Sequence, residues 1–222
     1  MAAATSRRIH ASFIRRIVRA GGRLSQARVE YGHSLAPDRG DDSMRPIEQL
    51  LTQYAAYHRD RRNIATHFAG IPLIVFAIVL ALATVSFPVA GLAITAAAVA
   101  SIAAAAYYFR LDAAFGAAMA AVLFAMCALA SEATARLADG LVLGLAAALF
   151  TAGWALQFWG HRFEGMKPAF FDDAKQLLVG PLFVCAELFF LFGAKPALRR
   201  YIEERVGPTV ARRAPATAAD TR

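Results

Sequence analysis

The sequence predicts an all-α, polytopic membrane helix bundle, with four transmembrane helices, an N-terminal amphipathic helix in the interface, and a fifth apolar segment that crosses, re-enters or packs against the other helices. Three observations predict it. Hydrophobic residues make up 58% of the 222-residue chain and charged residues 18%, against about 45–50% and about 25% in ordinary globular domains. The apolar excess lies in unbroken runs, as a bilayer demands, and is not spread at the helical spacing of a buried core. Charged residues collect between the runs, where a membrane protein keeps the residues that orient it.

Residues 1–43 are rich in arginine, carry no acid before Glu30 and lack an apolar stretch long enough for a secretory signal. They are read as a disordered basic tail, with a membrane-surface arm, a transit-type peptide, or sequence upstream of a true start at Met44 as the competing origins. The membrane-embedded domain is expected over 44–196. Ile47, Leu50, Leu51, Tyr54 and His58 fall at i, i+3, i+4, i+7 and i+11, one stripe of an amphipathic helix with Pro46 in its first turn. Arg59, Asp60, Arg61 and Arg62 form a charged break, after which Asn63 is placed to cap the next helix.

No Asp, Glu, Lys or Arg occurs over 68–109. As one helix those residues would reach roughly 63 Å, twice the roughly 30 Å of the hydrocarbon layer, so two spans share them, broken at Ser86, Phe87 and Pro88. The expected spans are 68–87, 89–109, 113–131 and 140–160, with interfaces marked by Arg110 and Asp112 and by Glu132, Arg136 and Asp139. A last run over 177–194 contains Pro181 and Glu187. If it crossed, Lys195, Arg199, Arg200, Arg205, Arg212 and Arg213 would lie on the far side, so a non-crossing segment is expected, followed by a basic tail over 197–222.

The formal charge is +8, yet the basic residues flank apolar runs, which speaks for membrane orientation and against nucleic acid as a partner. Twelve arginines precede His67, half of the 24 basic residues, which places that end in the cytoplasm. Cys127 and Cys185 sit in apolar stretches without a CxxC partner and read as small buried hydrophobes, not a disulfide framework.

His10 and His33 belong to the N-terminal arm, whereas His58, His67 and His161 fall at helix ends. An even number of crossings separates His67 from His161, so both return to the cytoplasmic face. Nine residues at about 100° each set His58 and His67 on opposite faces of a straight helix; they meet only if the charged break bends the chain. Trp154, Gln157, His161 and Glu164 follow a 3, 4, 3 spacing and share one stripe, with His161 and Glu164 as an HxxE pair. Three imidazoles and a carboxylate on one side suit iron(II), manganese or zinc. The competing reading of any one such histidine is a satisfied backbone group or a headgroup contact. Tyr54, Asn63, Gln157 and Glu187 are the candidates to support the ligands; taken singly, Tyr54 reads as an interface aromatic, Asn63 as a helix cap and Gln157 as an interhelical hydrogen bond. Arg59, Arg61, Arg62 and Arg162 form a positive rim that would meet headgroups or attract the carboxylate of an acyl chain.

Tyr54, Tyr57, His58, Asn63, His67, Gly70 and Pro72, then Trp154, Gln157, Phe158, Gly160, His161, Phe163, Glu164, Pro168 and Ala169, and finally Gly180, Pro181 and Glu187 resemble the motifs of a family of small multi-spanning membrane proteins, formerly of unknown function, whose fungal member is a 2-hydroxy fatty acid dioxygenase of the endoplasmic reticulum. The resemblance covers about 46–195. It implies an iron(II)-dependent α-oxidation, with dioxygen as co-substrate, that shortens a 2-hydroxy fatty acid by one carbon in phytosphingosine breakdown. It also implies that His58, His67 and His161 are the catalytic metal ligands, with Glu164 as a further candidate. A bacterial inner membrane, or the endoplasmic reticulum in a eukaryote, is the expected location, and a homo-oligomer is left open. The competing function is a non-enzymatic membrane scaffold or lipid-binding protein whose histidines are interfacial anchors; a transporter ranks below it for want of paired midplane charges.

Overall fold

The computed structural model describes residues 45–165 and 175–210. The arm 1–43 with the start at Met44, the motif residues Pro168 and Ala169, and Arg212 and Arg213 of the basic tail lie outside the described residues.

Proline lacks the N–H that the first turn of a helix leaves unpaired anyway, and Pro46 opens helix α1 (Pro46–Ala56), which buries Ile47, Leu51, Tyr54 and Ala55. The expected stripe is thus the packed face. Helix α2 (Arg61–Ala83) begins inside the charged segment, and its cap is Asp60, whose side chain accepts from the backbone N–H of Arg62 at 2.9 Å. This corrects the expectation for Asn63, which lies inside the first turn with its side chain turned to the bundle interior.

The break between the first two expected spans is a β-hairpin. Strands β1 (Ser86–Val89) and β2 (Leu92–Thr95) pair antiparallel, Ser86 opposite Thr95, around Ala90 and Gly91, both at positive φ (51° and 81°). That pair of left-handed residues gives the tight turn whose twist matches two strands. The hairpin takes residues that the span reading gave to helix, so α3 (Ala96–Leu111) has 16 residues where the expected span had 21. At about 1.5 Å per residue it is about 24 Å long, short of the roughly 30 Å hydrocarbon layer. Helices α4 (Ala113–Arg136) and α5 (Asp139–Glu164) follow. Among the described residues, α2, α4 and α5 are long and apolar enough to cross a membrane. Their outward faces carry Phe124, Leu129, Leu141 and Leu143, while His67, Asn63, Gln157 and His161 are buried; an apolar exterior around a polar interior suits lipid as the solvent.

Two core clusters mark the two ends of the bundle. At one end Val79, Leu80, Ala97, Ala130, Val142 and Ala146 pack together. At the other, Ile64, Tyr108, Phe115 and Met119 of α2 to α4 meet α1 and the last two helices, α6 (Gln176–Leu191) and α7 (Pro196–Val206). Helix α6 touches the end of α3, where the Tyr108 hydroxyl donates to Leu178 O at 2.9 Å, and the start of α4, where the Phe115 and Phe189 rings lie 4.8 Å apart. Just past its C-terminus, Lys195 pairs with Asp112 at 2.6 Å, at the corner between α3 and α4. Both ends of α6 therefore sit at one end of the bundle, so the helix lies across that end and does not traverse the bundle.

Helix α7 turns back at 113° to α6 and buries Leu198 and Ile202. The tail expected from residue 197 thus starts as a packed amphipathic helix. The reason is its spacing: Leu198, Tyr201 and Ile202 fall at i, i+3 and i+4, an apolar stripe that the surrounding arginines mask in a reading by charge.

The crossing of α2 and α5 is close enough to bring backbone against backbone. A Cβ on Gly70 would lie 2.9 Å from Gly153 O, and one on Gly153 would lie 2.8 Å from Gly70 O. Without this approach of the two helices the histidines they carry would not meet.

Candidate metal centre

Because α1 ends at Ala56 and α2 starts at Arg61, His58 and His67 do not share a straight helix. The turn between them folds α1 back, and their Nε2 atoms lie 3.0 Å apart. His161, from the last turn of α5, completes the group, its ring centroid 4.9 Å from that of His58 and 5.2 Å from that of His67. One ring nitrogen from each of the three lies within 4.8 Å of the other two, and all three residues are buried.

The tautomers follow from the partners. His58 Nδ1 lies 2.7 Å from Tyr54 O, and His67 Nδ1 lies 2.8 Å from Asn63 O. A carbonyl oxygen only accepts, so both Nδ1 atoms carry hydrogen and both Nε2 atoms present lone pairs. Two lone pairs facing each other at 3.0 Å repel unless a cation lies between them. His161 Nδ1 is buried with no hydrogen-bond partner. At metal–nitrogen distances of about 2.1 Å, two imidazole nitrogens at right angles around an ion are about 3.0 Å apart, the spacing of the two Nε2 atoms. The three residues fit a divalent ion that accepts imidazole. Burial, with His67 alongside, pushes the His58 imidazole well below its ordinary pKa, which keeps it in the neutral, ligating form.

Tyr54 is not an interface aromatic. Its ring stacks on His58 at 4.1 Å and 2°, and Phe183 packs against both rings. Asn63 fixes His67 through its carbonyl and donates its side-chain Nδ2 to Glu164 Oε1 at 3.2 Å. Glu164 Oε1 also accepts from the backbone N–H of Asp60 at 2.6 Å. Its carboxylate therefore ties the turn that carries His58 to the end of α5 and stands outside the three-histidine group, a correction to its candidacy as a ligand. Orienting contacts of this kind hold metal ligands in place. Glu164→Gln is expected to keep the metal while lowering stability by about 1–2 kcal/mol through the weakened bonds, measured as metal content beside a melting curve. Loss of metal would reinstate Glu164 as a ligand.

The positive rim does not form around the histidines. Arg59 is buried, donating to His58 O at 3.0 Å and Gly207 O at 2.7 Å and facing Glu187 at 4.0 Å. Arg62 pairs with Asp60 at 2.8 Å and covers the Phe163 ring at 4.5 Å. Arg162 is exposed. Among the described residues Glu187 meets the site through Arg59, the neighbour of His58. In addition, Val210 N–H donates to Arg59 O at 2.8 Å and Arg61 N–H to Val210 O at 3.2 Å, so the chain after α7 holds the same turn from outside.

A cavity of about 240 Å³ opens beside the three imidazoles, walled by Ile71, Ile74, Val75 and Ile78 of α2, by Phe150, Trp154 and Gln157 of α5, and by Gln176, Leu177, Gly180 and Pro181 of α6. Among the described residues the Nε2 of Gln157 does not make the interhelical hydrogen bond expected of that side chain and is buried without a partner. Two residues escaped the sequence reading. Asp60 was placed in a charged break, although it is the one acid between Glu48 and Asp112, and a lone acid among arginines was a signal that it is held. Gln176 stands directly before the last apolar run and carried no signal beyond that position.

The fold and the site together define a class, an α-helical membrane protein with a buried three-histidine centre beside an apolar cavity. Residues 44–191 match the family described as 2-hydroxy-palmitic acid dioxygenase Mpo1-like, and the chain belongs to that family. Over 57 residues it is 44% identical to the 2-hydroxy-palmitic acid dioxygenase MPO1 of Saccharomyces cerevisiae, a match that covers 25% of this chain and 33% of the relative. The chain thus spans about a third of the length of the curated relative it matches. No solved structure matches it.

Proposed function

We propose that this chain is an iron(II)-dependent membrane dioxygenase that converts a 2-hydroxy fatty acid to the acid one carbon shorter. The observation that carries the reading is the convergence of three buried imidazoles on an apolar cavity within a membrane bundle. With dioxygen as the oxidant the reaction balances as R–CH(OH)–COOH + O₂ → R–COOH + CO₂ + H₂O. Iron bound by the three imidazoles supplies the redox chemistry with dioxygen that no side chain offers.

The remaining work belongs to the chain. His58, His67 and His161 hold the ion. Tyr54 O and Asn63 O, by taking the Nδ1 hydrogens, aim two of the Nε2 lone pairs at it. Ile71, Ile74, Val75 and Ile78 line a dry path for the alkyl tail. The cavity's 240 Å³ falls below the roughly 300–1,000 Å³ usual for a bound small molecule, so a long tail must continue past it. A second groove between α2 and α5, of about 380 Å³, shares Ile78 and Phe150 with the first and extends toward Ala81 and Leu143.

The substrate reaches the site from the bilayer, and membrane lipid or fatty acid is the partner the reading names; nucleic acid is not one. The histidine face is assigned to the cytoplasm by its arginines, in a bacterial inner membrane or, in a eukaryote, the endoplasmic reticulum. Cysteines placed at the exposed positions Ala65 and Gly165, in a background lacking Cys127 and Cys185, are expected to react with an impermeant thiol reagent only once the membrane is opened. Labelling in intact cells would reverse the orientation.

The test of the function is metal analysis of detergent-purified protein together with 2-hydroxypalmitate under air and under argon. The expected result is near-stoichiometric iron and an oxygen-dependent C15 acid. Substoichiometric metal and no product would leave a lipid-binding scaffold in place of the enzyme.

A further inference from the structure

The cavity beside the histidines has an unexplained polar wall. Gln176, the first residue of α6, is 2% exposed, lines that cavity, and has both its Nε2 and its Oε1 buried without a hydrogen-bond partner among the described residues. Buried amides are almost always paired, and here donor and acceptor are both open on one side chain. Gln157, across the same cavity, leaves its Nε2 unpartnered as well. Among the described residues no Lys or Arg lines the cavity. A carboxylate that entered would therefore find two amides and the imidazoles as its polar neighbours, with the Tyr54 hydroxyl and the Trp154 indole N–H on residues of the same lining.

We propose that Gln176 recognises the head of a 2-hydroxy acid: its Nε2 donates to a carboxylate oxygen and its Oε1 accepts from the 2-hydroxyl, while Gln157 Nε2 donates to the carboxylate as well. The match is one of donor count. A 2-hydroxy carboxylate offers acceptors and one donor, and a primary amide offers donors and one acceptor. An unsubstituted fatty acid lacks the hydroxyl and would leave Oε1 unpaired in a dry site, which is how a polar group in a pocket rejects the analogue without its partner. The apolar residues Ile71, Ile74 and Ile78 lead away from this polar corner, so head and tail are oriented by the same cavity. The inference rests on the fatty-acid reading above and adds the group that selects for the 2-hydroxyl.

Binding tests it without turnover. Trp154 lines the cavity, so tryptophan fluorescence of the purified, metal-loaded protein under argon can be titrated with 2-hydroxypalmitate and with palmitate. The wild type is expected to prefer the 2-hydroxy acid by about tenfold or more, the scale of a lost hydrogen bond to a buried group. In Gln176→Leu that preference should collapse to within about threefold of unity, with metal content unchanged. Gln176→Glu retains the shape of the side chain and serves if the leucine variant does not fold; it should weaken both free acids yet spare 2-hydroxypalmitate methyl ester, which has no charge to repel. Retention of the preference in Gln176→Leu, or equal weakening of both acids there, would overturn the assignment. Wild type that binds both acids alike overturns it with the fatty-acid reading intact, and wild type that binds neither overturns that reading too.

Discussion

Alanine in place of His58, His67 or His161 is expected to reduce bound metal below about a tenth of the wild-type content and activity by at least about 100-fold. Even groups that only orient a ligand cost 10- to 100-fold when removed, and these three supply the donor atoms themselves. The variants should still insert, because insertion depends on the apolar length of α2, α4 and α5, which the changes leave untouched. A second substitution should add little to the first, as with residues that serve one step together. Thermal unfolding gives an independent readout. A ligand that binds only the folded state raises its stability by mass action, so metal-loaded wild type should melt above the stripped protein. That gap should close in each single variant. Full activity on every 2-hydroxy acid in all three variants would end the metal-oxygenase reading.

Gly70→Ala and Gly153→Ala are expected to damage both the bundle and the three-histidine group it carries. At Gly70 the new Cβ would stand 2.9 Å from Gly153 O and 3.1 Å from Leu156 Cβ, and would run into Gln157 Nε2; at Gly153 it would stand 2.8 Å from Gly70 O and 2.6 Å from Ile74 Cγ1. Backbone atoms cannot rotate away, so α2 and α5 must separate, at a cost of about 1–3 kcal/mol for overpacking. The separation matters more than the energy. His67 lies one turn before Gly70 on α2 and His161 two turns after Gly153 on α5, so moving the helices apart opens the three-histidine group. Both variants should therefore lose metal as well as melting temperature, and the double variant should lose less than the sum, since the second methyl enters a gap the first has made. Gly140→Ala and Gly144→Ala, where a Cβ meets nothing within 4 Å, are the controls and should be neutral or slightly stabilising, because alanine is the better helix former.

Several elements were legible in the residues alone. A run of apolar side chains long enough to cross lipid is a one-dimensional property, set by the solvent and the rise of a helix, and α2, α4 and α5 follow from it. The buried stripe of α1 and the shared face of Gln157, His161 and Glu164 follow from helical periodicity in the same way. For His58 and His67 the spacing stated only the condition, that they meet if the charged break bends the chain; the bend itself is seen in the structure.

What the spacing left open is who meets whom. Asn63 and Asp60 stand three residues apart at the start of one helix, and both are able to cap it. Asp60 takes the cap because Glu164 arrives from α5 to engage the Asn63 amide and the Asp60 N–H. Arg59 looked like a solvated charge, yet Gly207, just past the end of α7, supplies the carbonyl that lets it be buried. The hairpin at Ala90 and Gly91 depends on two backbone torsions that neither residue requires. Gln176 became part of the site only when α6 lay down across the end of the bundle. By itself the sequence determined which segments enter the membrane and which residue types reach one end of it, because hydropathy and periodicity act along the chain. The tertiary structure alone decided which carboxylate caps, which amide faces the cavity and how closely two glycines meet, because the worth of a buried polar group or a missing methyl depends on the segment packed against it.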